Sequence, residues 1–307
     1  MRAFVLSGGG NRGPLEVGAL KTLLEHGITP ELIIGSSAGA LNGALLAANP
    51  CLEQVQRMAE LWLEAGRRKV IRSNNLGMLW QILRGRDHMM DNRFMRRFVD
   101  GCLPSDRRNF GDLPVKLYVT TAHVVSHTLY IYGDDPSASI VDAVMSSSAV
   151  PGCFPPTVCN GETFVDGGII SNLPVQLAVA RGATEIWAVD LAVSMSTPRA
   201  ALDLFTLLSL TIMPMLYDEV LHELETVASI PGVIVHHVPI YAFQDVMLGD
   251  FSRTEAMLAE GERVMREYLA NPQPNAIHYP MHWHEAQLPP GPPGTKPYVS
   301  QATAKTS

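Results

Sequence analysis

Long apolar runs are missing from this chain. The most apolar stretch, Leu204 to Leu216, is shorter than the ~20 residues that cross a bilayer and contains Pro214, so it does not read as a membrane span. A basic start followed by an apolar core and a cleavage site is also missing. The sequence opens at once on Ala3-Phe4-Val5-Leu6, and the expectation is that there is no signal peptide. Cysteine is scarce: Cys51, Cys102, Cys153 and Cys159 form no C-x-x-C pair, which argues against a disulfide framework and fits a reduced, cytosolic compartment. Charged residues make up 17%, and the net charge of −7 argues against a general nucleic-acid partner. Against these shortages stands 47% hydrophobic residues in 307 positions, enough for a sizeable core in one large domain or two smaller ones.

The charge is uneven. Residues 66–108 carry eleven Lys/Arg against four acids, a balance of +7, so the remainder holds −14. At its centre Leu76-Gly77-Met78-Leu79-Trp80-Gln81-Ile82-Leu83 is flanked by arginines. One reading is a lid or membrane-facing patch making transient contact with anionic lipid; the other is a solvated helix pair covering the sheet edge.

The most informative stretch is Leu32-Ile33-Ile34-Gly35-Ser36-Ser37-Ala38-Gly39. A short apolar strand runs into G-x-S-x-G (Gly35, Ser37, Gly39), and Ala38 to Ala48 then reads as a helix stopped by Asn49-Pro50. Strand, sharp turn and helix is the setting of a nucleophile elbow, in which the serine projects over a helix N-terminus that favours negative charge. Taken alone, the same letters also describe a tight turn with a capping serine.

Upstream, Ala3 to Ser7 leads into Gly8-Gly9-Gly10-Asn11-Arg12-Gly13, then a helix with Pro14 in its first turn and Gly27 at its end. Together the two units make a βαβα start to a parallel sheet. Glycines let backbone N–H groups converge on an oxygen, as an oxyanion hole needs. Gly8, Gly10 and Gly13 also fit G-x-G-x-x-G, the dinucleotide fingerprint. That reading needs an acid at the end of the second strand, where Gly35-Ser36-Ser37 stands instead. Residues 51–66 place Val55, Met58, Ala59 and Trp62 at helical spacing, read as a surface helix with a buried stripe and no chemistry.

Ser37 needs a base. None of the ten histidines carries a supporting motif, and His123 and His127, read on one strand, would sit roughly 13 Å apart. His278, His282 and His284 could form a metal-binding tract, but nothing supports it, and no metal or cofactor is expected. Asp166 is the better candidate. It ends the strand Glu162 to Val165, and Gly167-Gly168 after it allow close approach to a neighbouring element; by itself, Asp166-Gly167 is also an ordinary turn.

Gly8 to Gly13, Gly35 to Gly39 and Asp166 to Gly168 occur in that order, with Pro151 to Pro156 and Asn172-Leu173-Pro174 around the third. In this the chain resembles the patatin-like phospholipases, in particular their short bacterial members, over residues 1–270. The resemblance implies an α/β fold, a three-layer α/β/α sandwich with a mainly parallel central sheet. It implies Ser37 as nucleophile, Asp166 as proton acceptor, and the N–H groups of Gly9 and Gly10 as oxyanion hole. Arg12 would lie near a phosphate or fix the loop it shares with Gly8, Asn11 and Gly13. Asn11 at the variable position and Ser36 in place of a frequent threonine are small departures. The implied activity is hydrolysis of a lipid or other carboxylic ester; an acyltransferase with the same dyad and a lipid-binding regulator with an idle site are the rivals. Residues 1–270 are expected to form the catalytic domain, and 271–307, rich in Pro, a loosely attached tail.

Overall fold

The structure, a computed structural model, describes residues 1–71, 88, 90–192, 204–246 and 248–280, with residues 204–215 as backbone only. The apolar centre at 76–83, Arg72, Arg84, Arg86 and the tail beyond 280 lie outside the described residues.

The strands are β1 (Arg2–Leu6), β2 (Leu32–Gly35), β3 (Lys116–His123), β4 (Thr128–Tyr132), β5 (Thr157–Cys159), β6 (Glu162–Asp166), β7 (Glu185–Asp190) and β8 (Ile234–Pro239). The helices are α1 (Gly13–Glu25), α2 (Ala38–Ala48), α3 (Leu52–Arg67), α4 (Arg93–Cys102), α5 (Ile140–Ser147), α6 (Val175–Ala180), α7 (Leu204–Ala228) and α8 (Thr254–Ala270). Five strands run parallel in the order β3-β2-β1-β7-β8, and β4, β5 and β6 extend the β3 side in antiparallel fashion.

The two-residue period of β1 makes the layers. Phe4 and Leu6 face α1, α2, α3, α5 and α8, while Ala3 and Val5 face α6 and α7. Both faces are covered, so the central strands are apolar throughout, as buried parallel strands are. Chain order reverses between β1 and β7, and open α/β sheets bind ligands outside the strand ends at such a point. The glycine loop leaves β1 there.

Where it is described, the main packing partner of the basic region is a helix. Helix α4 packs against α5, and Met95, Phe98, Val99 and Cys102 line a cavity. Asn275 brackets β8, accepting from Val235 N–H at 2.7 Å and donating its own N–H to Val235 O at 2.8 Å, and Ile277 and Tyr279 pack beside it. Among the described residues no helix is long and apolar enough to cross a membrane.

Candidate active site

Ser37 stands between β2 and α2 at φ 51°, ψ −115°, a backbone region a non-glycine residue enters only when its surroundings force it. The forcing is visible at the two flanking glycines. A Cβ on Gly35 would lie 2.3 Å from Gly39 O, and a Cβ on Gly39 would lie 2.3 Å from Leu6 O. The turn is also tied to β1, with Ser36 N–H donating to Leu6 O at 3.1 Å and Gly39 N–H to Ser7 O at 3.2 Å. Ser37 N–H donates to Ser147 Oγ at 2.8 Å.

Strand pairing decides where Asp166 falls. Val119 pairs with Gly35 of β2 and with Tyr132 of β4, so those two strands flank β3 on opposite sides. Thr121 to His123 pair with both β4 and β6, which puts β6 on the β2 side. Strand β2 therefore ends opposite Val119, and β6, running the other way, ends with Asp166 opposite Thr121. At ~3.3 Å per residue the two ends are roughly 7 Å apart along β3. The carboxylate thus reaches the glycine turns by a head-on meeting of strands, not from the end of a further parallel strand.

The Ser37 side chain lies beside the Asp166 carboxylate, and Gly168 N–H donates to Asp166 Oδ1 at 2.8 Å. Asp166 is buried. Burial pushes its carboxyl up to about 6, against the pull of the Ser37 hydroxyl and of Gly168 N–H. Thr121 Oγ1–H donates to Val165 O at 2.7 Å and lies 3.0 Å from Ser146 Oγ, holding the end of β6 in place. Sequence reasoning assigned no role to Ser146, Ser147 or Thr121. The one available signal was a run of three serines closing an otherwise apolar helix.

The glycine loop closes the third side. Gly8 N–H is taken by Asn172 O at 3.2 Å, and Asn172 Nδ2 donates to Gly8 O at 3.2 Å. Among the described residues the N–H groups of Gly9 and Gly10 donate to no other protein group. Of the two roles expected for Arg12, the loop-fixing one is what is seen: its guanidinium donates to Leu191 O at 2.6 Å and Ala192 O at 3.2 Å, locking the β1 and β7 loops together. Burial lowers its pKa to about 10, and nearby Asp190 and Glu16 oppose that. Asn11 Nδ2 donates to Asp250 O at 2.6 Å, and Gly13 O accepts from Asn42 Nδ2 at 3.0 Å. Asn42 also joins Glu16 to the Trp62 indole, and burial holds the Glu16 carboxyl well above the usual carboxylate range.

Two cavities meet at Ser37, sharing Gly10 and Val150. One, about 80 Å³, is almost wholly apolar, its walls including Leu41, Leu45, Trp62, Ala65, Phe98 and Val144. The other, about 250 Å³, is bordered by Gly9, Arg12, Asp166, Ile169, Tyr217 and Val220. Of the α3 stripe read as chemically silent, Trp62 therefore walls a cavity that opens on Ser37, together with Leu61 and Ala65 of the same helix.

The histidines lie elsewhere. His123 is held by Ser126 Oγ and Glu162 Oε2, each at 2.7 Å, and His127 is not on its strand but in the following turn at φ 54°. His236 stacks on Trp187, and buried His237 lies 3.3 Å from Asp190 Oδ2. His282 and His284 lie outside the described residues.

The family model for Patatin, the patatin-like phospholipases, matches residues 4–179, more than half of the chain. The chain is 31% identical over 196 residues to patatin-like phospholipase domain-containing protein 7 of Rattus norvegicus, covering 61% of this chain and 13% of that protein. It is 28% identical over 200 residues to lysophospholipase NTE1 of Mycosarcoma maydis, covering 64% of this chain and 10% of that one. It thus spans a small part of the length of these relatives. The solved structure of VipD from Legionella pneumophila aligns with a TM-score of 0.47 at 15% identity, covering 88% of this chain and 66% of that one. By the family match over residues 4–179, this chain belongs to the patatin-like phospholipase family.

Proposed function

We propose that the protein is a serine-dependent lipid acyl hydrolase working through a Ser37–Asp166 dyad and an acyl-enzyme. The observation that carries this is Ser37, strained at φ 51°, beside a buried carboxylate where an apolar cavity meets a more polar one. Asp166 accepts the Ser37 Oγ proton as Oγ bonds to the ester carbonyl carbon. The carbonyl electrons move to oxygen, which the Gly9 and Gly10 amides hold. Collapse breaks the bond to the leaving alcohol, which takes the proton from Asp166. Water then attacks the acyl-Ser37 ester by the same route. A base near 6 is ionised at neutral pH yet still takes a proton readily. The apolar cavity holds the acyl chain, and the wider one holds the alcohol side. The names of the relatives, a phospholipase domain protein and a lysophospholipase, support a lipid ester as substrate.

A fluorophosphonate probe is expected to label the intact protein on Ser37, with labelling and p-nitrophenyl ester turnover both lost in Ser37→Ala. Unchanged labelling of that variant would end the proposal. The acyl cavity has its own test. Ala65→Phe puts a ring into that cavity, so turnover of a long-chain p-nitrophenyl ester should fall at least about tenfold relative to the acetate, about 1.4 kcal/mol of differential binding. Equal loss on both esters would place the acyl chain elsewhere.

A further inference from the structure

We infer that the outer wall of the apolar cavity, formed by the end of α3, the residues after it and the exposed side of α4, docks on an anionic lipid bilayer. Two open depressions flank the cavity. One shares Ile71 and Phe251 with it and carries Arg67 and Lys69. The other shares Val70 and Phe98 with it and carries Arg68 and Arg97. All four cations are exposed. Arg68 pairs with Glu64, and the nearby Arg93 pairs with Asp91; Arg67, Lys69 and Arg97 form no salt bridge among the described residues. Of the other acids nearby, Glu60 is paired with Arg57 and Asp100 with Arg108, and Asp250, between Gly249 and Phe251 of the first depression, accepts from Ser252 N–H. Arg97 lies 4.9 Å over the ring of Phe94, which is 39% exposed, a cation and aromatic pair suited to the headgroup level.

A bilayer matches both parts of this surface: headgroup charge for the cations, and acyl chains for the apolar wall between them. The chain as a whole carries −7, so its net charge opposes a negative surface and these local cations must supply the attraction. Docked there, a lipid leaving the leaflet reaches the cavity beside Ser37 without its chain crossing water. The inference rests on reading that cavity as the acyl site, but its test reads binding alone.

The experiment is co-sedimentation of the Ser37→Ala protein, which should not consume lipid, with vesicles of phosphatidylglycerol and phosphatidylcholine or of phosphatidylcholine alone. Binding is expected to the anionic vesicles only, weakening steeply from about 50 to about 500 mM salt. At roughly fivefold per surface cation, R67A/K69A/R97A should bind about a hundredfold more weakly. The same triple change in protein retaining Ser37 should leave turnover of a water-soluble short-chain ester unchanged. R67K/R97K should bind like the parent, and so should K116A, at the far end of β3. The inference is overturned if the parent protein fails to bind anionic vesicles, binds neutral ones as well, or ignores salt. It also falls if the triple variant binds like the parent, or if soluble polyglutamate competes as strongly as the vesicles, which would mark an acidic protein as the partner. Because binding is read without Ser37, a failure here leaves the hydrolase reading standing, and a failure of Ser37 labelling leaves the docking result standing.

Discussion

Asp166→Asn is expected to lower ester turnover roughly 10²–10⁴-fold, the usual contribution of a general base, and to make the folded protein more stable at pH 8. Both effects come from one buried carboxyl. Burial raises Asp166 from an ordinary 3.8 to about 6, so the folded chain holds its proton more tightly than the unfolded chain does. Stability from this group is therefore fully present below about pH 4 and is lost as pH rises to about 6. At 1.36 kcal/mol per pKa unit the loss is of order 2–3 kcal/mol. Asparagine does not ionise and can still accept from Ser37 and from Gly168 N–H, so the variant should escape most of that loss. Urea denaturation at pH 4 and pH 8 checks it: the variant should gain on the parent only at the higher pH. In the parent, kcat/KM should climb about tenfold per pH unit below 6 and level off above. A stability difference that ignores pH, or a profile without that inflection, would remove Asp166 from the role of base.

Gly39→Ala should cost several kcal/mol for a single methyl group. The new Cβ would sit 2.3 Å from Leu6 O and 2.7 Å from Ser7 O, and both are backbone atoms of β1 and its exit. Neither can swing aside as a side chain could, so β1 and α2 must separate by about 1 Å. Overpacking of this kind costs 1–3 kcal/mol even where neighbours are soft. Because Ser7 leads directly into the glycine loop, the shift should also lower turnover about 10²-fold. Gly101→Ala is the control. In α4 its Cβ meets nothing within 4 Å, so the change should be neutral or stabilise by up to ~1 kcal/mol. Matching denaturation midpoints for the two variants would show that the elbow is not held by this close approach.

Much of the candidate site was legible along the chain because its parts are local. A strand, a G-x-S-x-G and an Ala/Leu-rich helix are contiguous in sequence, and period-2 and period-3.6 patterns place Ser37 at their junction without long-range information. What failed to read were relations across the fold. The α3 stripe showed which face is buried, but periodicity does not say whether a wall or a void lies opposite; Trp62 borders a void. His123 and His127 looked like strand neighbours until the chain reversed between them. Arg12 fitted two partners, and only the closeness of the β1 and β7 loops chose the Leu191 and Ala192 carbonyls.

By itself the sequence determined the opening βαβα order, the sharp turn at Ser37 and the glycine loop before it, because each follows from the conformations a few adjacent residues can adopt. The tertiary structure alone decided that the Asp166 carboxyl meets the Ser37 hydroxyl. That depends on the register of β3, which pairs with β2 over its first half and with the opposed β6 over its second. Register is a property of paired strands, and no single strand contains it.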